Sequence, residues 1–328
     1  MTVKTSTAPF PAAAASVGPT LLLDCDPGCD DAVALLTACA FGALAGVTTV
    51  AGNSRVDTTT RNAEVACRVF GYRGEIASGA SSPLIGTLAA FAPTAPFSDF
   101  DERDAESMTA SCSPIREDAA RFIVERADPA TWLVATGPLT NLALALRRDA
   151  RLANRVAGLS LMGGSAGAGN ITPVAEFNIW SDPEAAHIVL TSGLPIRMCG
   201  LDVTHRVLVD RAFTQRIRRL DTRCARFVAH LLETFIDTYP DAFVGQPFAP
   251  LHDPCAVLAV THPALFEWRD EHVAVELSGT LTRGMTVFDR RDTSKLAPNV
   301  QTATACDPGA ILEAIFNAVE RVGRAAAA

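Results

Sequence analysis

Short apolar runs alternate with segments of helical period along most of this chain, and the alternation predicts its architecture. The run from Leu21 to Asp24 is followed at once by a helical pattern from Asp30 to Ala40. Gly46 to Val50 precedes a helix near Thr58 to Phe70, and Thr131 to Ala135 precedes Asn141 to Leu146. Leu159 to Met162 leads into a Gly-rich loop, and the helical stretch Pro183 to Leu190 comes before the run Ile196 to Cys199. Strand and helix in this order predict an α/β fold, a mostly parallel central sheet with helices on both faces.

Two insertions interrupt the rhythm. Pro83 to Pro114 is rich in Pro, Gly, Ser and acids without periodicity, and reads as a long surface loop of the kind that covers sites. Asp210 to about Tyr239 reads as one or two amphipathic helices, whose Arg-rich face (Arg211, Arg216, Arg218, Arg219, Arg223, Arg226) suits solvent or a subunit contact. Near the end, Val273 to Leu277 and Met285 to Phe288 pattern as a small C-terminal hairpin, and Asp307 to Val322 as a closing helix. Residues 1–18, rich in Ala, Ser, Thr and Pro, read as a loose tail rather than a secretion signal. With no repeat or linker in the remainder, one domain over 19–328 is expected.

Composition narrows the partners. A chain of 328 residues, 48% hydrophobic and 20% charged, can bury a large core. The formal net charge is −8, and lysine occurs only at Lys4 and Lys295. No basic patch with interleaved aromatics is present, which argues against nucleic acid, and no apolar run approaches a membrane span. The nine scattered cysteines form neither zinc-like pairs nor a compact disulfide framework, so reduced thiols and a cytoplasmic setting are expected.

The densest chemistry is Asp24-Cys-Asp-Pro-Gly-Cys-Asp-Asp31, four carboxylates in eight residues at a strand-to-helix turn. Parallel α/β sheets gather their chemistry at such turns. Like charges this close repel unless shared protons or a cation compensate them, and oxygen donors suit a hard cation. A plainer reading takes Asp30 and Asp31 as first-turn acids that complement the helix dipole. Asp182-Pro183 and Asp307-Pro308 are read as helix caps and no more. Further polar segments expected along the same sheet edge are Gly52-Asn53, Thr136 to Asn141, Met162 to Gly164 with Asn170, Glu176 to Asn178, and Leu251 to Pro254.

Taken together, Asp24 to Asp31, Ala135-Thr-Gly-Pro-Leu-Thr-Asn141, Met162-Gly-Gly164, Glu176-Phe-Asn-Ile179 and His252-Asp-Pro254 resemble the nucleoside hydrolase family, the inosine-uridine type N-ribohydrolases. The resemblance runs in order from the first strand to the closing helix. It implies a parallel-sheet α/β fold, a bound calcium ion, and hydrolysis of the bond between ribose and nucleobase in nucleoside salvage. By the same resemblance Asp26, Asp31, Asp253 and the backbone carbonyl of Thr136 bind calcium, the Thr136 side chain being uninformative. Asp26 is also the general base toward the attacking water, and attack at C1′ passes through an oxocarbenium-like transition state. Asp30, Asn53, Asn170, Glu176 and Asn178 correspond to ribose ligands and Met162 to the residue packed on the sugar. His252 corresponds to the group that protonates the leaving base, and a homodimer or homotetramer is implied.

Each of these has a plainer reading: Asp253 as another Asp-Pro cap, His252 as a structural histidine, Met162 as core. The sequence departs from the family's better-known members in the Pro83 to Pro114 loop, where Phe91 to Phe100 contains no histidine. That puts the base preference in doubt. Phe91, Phe97, Phe100, Trp180, Tyr239 and Phe243 are candidates for stacking on the base or for the core. Two rival readings are a haloacid-dehalogenase-type phosphatase, for which a positioned lysine and a phosphate cradle are wanting, and a non-catalytic calcium-dependent binder of ribose or nucleosides.

Overall fold

The computed structural model describes residues 18–86, 100, 115–239, 248–291 and 293–325. Expectations for residues 1–17, for most of the Pro83 to Pro114 loop, and for Phe91, Phe97 and Phe243 fall outside them. In chain order the strands are β1 (Thr20–Cys25), β2 (Ala43–Thr49), β3 (Ile76–Ser78), β4 (Arg116–Glu117), β5 (Thr131–Ala135), β6 (Gly158–Met162), β7 (Ile196–Cys199), β8 (Leu208–Val209), β9 (Ala249–Pro250), β10 (Phe266–Glu271), β11 (Val273–Val275), β12 (Thr286–Phe288) and β13 (Val300–Cys306). The helices are α1 (Cys29–Phe41), α2 (Val56–Val69), α3 (Ala119–Arg126), α4 (Thr140–Arg148), α5 (Phe177–Ser181), α6 (Pro183–Leu190), α7 (Leu201–Thr204), α8 (Arg211–Arg218), α9 (Arg223–Thr238), α10 (Pro254–Thr261) and α11 (Pro308–Ala325).

One nine-stranded sheet runs β10-β13-β7-β6-β5-β1-β2-β3-β4. All its pairings are parallel except that of edge strand β10 with β13. The pleat sends alternate side chains to two cores. Leu21, Leu23, Trp132 and Val134 join the cluster under α1, α9, α10 and α11, whereas Leu22, Leu133, Ala135, Leu159 and Leu161 join the one under α3, α4 and α6. Helices therefore cover both faces, as the strand–helix alternation predicts. Helix α1 is buried on every side except at Cys39 and Phe41, and packs against α9, α10 and α11. A helix apolar all round belongs in an interior.

The predicted hairpin forms as the antiparallel pair β11 and β12. The amphipathic stretch after Asp210 resolves into two helices, α8 and α9, divided at Asp221, which takes a positive φ of 49°. Four of its arginines pair within the chain: Arg211 with Asp237, Arg216 with Glu313, Arg218 with Glu233 and Arg226 with Asp221. Asp307 caps α11 through the amide of Ala310, as expected. Asp182 does more than cap. One oxygen accepts from Ala185 N, while the other holds the Leu84 amide and the Thr140 hydroxyl, so it ties three segments together.

Chain order reverses at β1. From there β2, β3 and β4 extend one way, and β5, β6 and β7 the other. The crevice beyond the carboxyl ends of β1 and β5 is where an open α/β sheet binds ligands.

Candidate active site

The residues following β1 and β5 meet in that crevice. Asp24 does not belong to it: still within β1, it is buried, and its Oδ1 accepts from the Thr48 hydroxyl (2.6 Å) and from Asn141 Nδ2 (2.8 Å). Asn141 also donates to Thr49 O and accepts from Ala80 N, so these side chains brace the floor across four strands' ends. Of the four clustered acids, three reach the site.

Asp31, in the first turn of α1, is its hub. Its Oδ1 accepts from Asp26 N (3.3 Å) and the Thr136 hydroxyl (2.8 Å), and its Oδ2 from Gly28 N (3.1 Å) and Asn53 Nδ2 (3.1 Å). The first-turn role is thus real, since Asp31 secures the Gly28 amide at the helix start, but it accounts for only one of four bonds. The Thr136 side chain, which sequence reading leaves without a role, fixes this carboxylate. Asp26 accepts from Asn53 N at 2.6 Å. Its carboxylate is gripped between Gly52 and Gly137, where a Cβ on either residue would strike one of its oxygens. Only glycine permits that approach.

Asp253 begins α10 but makes no capping hydrogen bond. It faces the acids instead: carboxylate oxygens of Asp30, Asp31 and Asp253 lie within 4.8 Å of one another, all three residues buried. The cluster thus brings in Asp30, with Asp26 beside it. Burial, then the charge of Asp31, pushes the carboxyl of Asp26 well up and that of Asp30 to about 7. Burial followed by Asp30, Asp31 and Asp26 raises Asp253 likewise, and burial raises Asp31.

His252 lies buried beside the cluster. Its Nδ1 is 2.8 Å from the Thr204 hydroxyl and its Nε2 is 3.5 Å from the Tyr239 hydroxyl. His205 packs edge-on against the imidazole at 5.3 Å. Burial, helped by His205, pulls His252 down to about 3. Thr204 and His205 escape the sequence reading although they obey its own rule, for Gly200 to His205 directly follows β7. The Leu251 to Pro254 segment, by contrast, leaves the two-residue strand β9, which pairs with β8 outside the main sheet.

The remaining predicted residues form a connected rim. Asn178 Nδ2 donates to the carbonyls of Thr136 (2.8 Å) and Met162 (3.1 Å), with the Met162 sulfur at 3.5 Å. Glu176 is no loop residue after a strand. It caps α5, its oxygens accepting from the amides of Asn178, Ile179 and Gly164. Asn170 Oδ1 accepts from Phe177 N, anchoring the Gly-rich loop to the same helix. Of the aromatic candidates among the described residues, Phe100 is buried in the core against Phe227, and Tyr239 alone is seen to touch His252.

A divalent cation fits this donor set. Asp253 lies against Asp30 and Asp31, and carboxylates this close repel one another unless a proton or a cation compensates them. Among the described residues no Lys or Arg forms an ion pair with Asp26, Asp30, Asp31 or Asp253. A cation in the cluster supplies the missing positive charge, and donors that are all oxygen favour a hard one.

Comparison with known proteins shows the family. The sequence model of the inosine-uridine preferring nucleoside hydrolases matches residues 21–313. Pyrimidine-specific ribonucleoside hydrolase RihA of Shewanella sp. (strain ANA-3) is 41% identical over 283 residues, 82% of this chain and 86% of that protein. RihA of Enterobacter sp. (strain 638) is 40% identical over 292 residues, 85% and 90% of the two chains. Among solved structures, the purine-preferring ribonucleoside hydrolase from Gardnerella vaginalis superimposes with a TM-score of 0.83 at 28% identity, covering 93% of this chain and 99% of that one. Likeness of this extent in both sequence and fold decides against the phosphatase reading: the chain belongs to the inosine-uridine preferring nucleoside hydrolase family and is an enzyme that hydrolyses N-glycosidic bonds of nucleosides.

Proposed function

We propose that this nucleoside hydrolase acts on pyrimidine ribonucleosides with calcium as its resident cation, releasing ribose and the free base. The observation that carries the metal requirement is the buried, oxygen-only cluster of Asp30, Asp31 and Asp253, which lacks a basic partner among the described residues. The pyrimidine preference rests on the relatives named pyrimidine-specific, at 40–42% identity over most of both chains. A homodimer or homotetramer in the cytoplasm completes the reading, supported by the family resemblance.

Asp26, Asp31, Asp253 and the Thr136 carbonyl are the proposed ligands. A calcium ion held there would supply the Lewis acidity that activates a water and would favour binding of the ribose diol. Asp26, fixed by the Asn53 amide and the two flanking glycines, accepts the proton of the attacking water. Asp30, Asn53, Asn170, Glu176 and Asn178 position the ribose hydroxyls, and Met162 packs on the sugar. Their carboxylates favour the positive charge that spreads over the ring oxygen as the bond to the base lengthens. His252 faces the departing base as its hydrogen-bond donor.

The test is a panel of uridine, cytidine, inosine and adenosine followed by release of reducing sugar, before and after chelation and after calcium is restored. Uridine and cytidine turnover that disappears with chelation and returns with calcium is expected. Turnover of purines alone, or turnover indifferent to chelation, overturns the reading.

A further inference from the structure

We propose that Thr204 is a positioning residue that fixes the tautomer of His252, so that Nε2 carries the proton and is offered to the departing base. The inference rests on the hydrolase reading of His252 and adds the group that prepares it.

Thr204 ends α7 and is fully buried. Its hydroxyl hydrogen needs an acceptor, because an unsatisfied buried donor is costly. The partner its oxygen finds is His252 Nδ1, at 2.8 Å. The carbonyl one turn back, Gly200 O, is taken by the Thr204 amide rather than by its side chain. If Thr204 were instead to accept from an Nδ1–H, its own hydrogen would be left without an acceptor among the described residues. The hydroxyl therefore donates, and Nδ1 accepts. A neutral imidazole with Nδ1 as acceptor bears its hydrogen on Nε2.

That nitrogen lies on the Tyr239 side of the ring, 3.5 Å from the phenolic oxygen. In the hydrolase reading of His252, Nε2–H is the group offered to the departing base. The bond between C1′ and the base nitrogen breaks with its electron pair passing to the base, where the charge spreads onto the pyrimidine carbonyl oxygens. Nε2–H donates a hydrogen bond to that charge and keeps its proton. The proton that Asp26 removes from water is the one the base finally receives, so protons balance and no imidazolate forms. The donor is set before the bond breaks, which is the condition for stabilising a developing anion.

The experiment compares wild type, Thr204→Val and Thr204→Ser on uridine and on p-nitrophenyl β-D-ribofuranoside, whose nitrophenolate leaves without assistance. Thr204→Val keeps the shape and removes the hydroxyl. It should lower kcat on uridine roughly ten- to a hundredfold, as loss of a partner behind a functional histidine does. KM, and kcat on the nitrophenyl riboside, should stay within about twofold of wild type, and Thr204→Ser should restore uridine turnover. Histidine ¹⁵N spectra of the wild type should show Nε2 protonated and Nδ1 accepting. Equal losses on both substrates, unchanged uridine turnover in Thr204→Val, or an Nδ1-protonated His252 would overturn the proposal. Absence of turnover on either substrate in wild type would sink the hydrolase reading itself.

Discussion

The hydroxyl of Thr136 donates to Oδ1 of Asp31 at 2.8 Å, joining the turn after β5 to the first turn of α1 across the point where strand order reverses. A proposed backbone ligand and a proposed carboxylate ligand are thereby locked into one unit. Thr136→Val should keep the fold and lower calcium affinity roughly tenfold, the usual cost of losing a partner behind a metal ligand. Calorimetric titration of the chelated protein measures it, and unchanged affinity would remove Thr136 from the role.

Asp26→Asn retains an acceptor for the Asn53 amide but no longer takes a proton. Turnover of uridine should fall about a thousandfold, in the range for loss of a positioned base, with far-UV circular dichroism unchanged. Wild-type rates in this variant would refute Asp26 as base.

Removing the cation should make stability depend on pH with a definite sign. Burial raises Asp30 and Asp24 to about 7 in the folded chain, whereas unfolded carboxyls ionise near pH 4, about the model-peptide value. The folded state therefore binds more protons across that window, and stability of the chelated protein falls as pH rises from about 4 to about 7. Calcium should flatten the decline and raise Tm most at the upper end. Thermal melts with and without chelator decide it; a metal-free Tm that climbs through the same range contradicts it.

Asp253 makes no cap bond on α10, so Asp253→Asn should separate its two possible roles. Without metal the variant should melt at or above wild type near pH 8 (roughly one unit past the upper edge of that window), because one of several mutually repelling carboxylates is gone. With calcium it should lose most of the ligand-induced rise in Tm. A large loss of stability in the chelated state would make Asp253 a structural residue instead.

Gly137→Ala tests the close approach to Asp26. A Cβ there strikes Oδ1 and also crowds Val50, so the variant should lose about 1–3 kcal/mol of stability, as overpacked sites do. Its kcat should fall together with stability. Urea denaturation and initial rates provide the check, and a neutral substitution would mean that Asp26 has room to move.

Periodicity alone was enough for the sheet's centre, where β1, β2, β5, β6 and β7 are short apolar runs alternating with helix-period segments or, after β6, with a Gly-rich loop. It did not reveal α10, whose Pro254-Cys-Ala-Val-Leu-Ala-Val-Thr261 is apolar all round and so carries no face. Nor did it reveal β10 and β13, where charged and small residues at an antiparallel edge dilute the pattern. Within the site, acid density singled out Asp26, Asp30 and Asp31, and the family resemblance pointed to His252 and Asp253. Partners were another matter: that Asp24 points to the floor, that Glu176 caps α5, and that Thr204 backs His252.

What the sequence determined by itself is the set of groups and the strand ends that carry them, because side-chain period and acid density are local properties of the chain. Which carboxylates come together, which hydroxyl faces which imidazole nitrogen, and which acid serves the fold were decided by tertiary structure. Those relations join residues far apart in the chain, Asp24 and Asn141 being 117 positions apart. They exist only after the sheet has closed around β1 and buried them where water no longer competes for their hydrogen bonds.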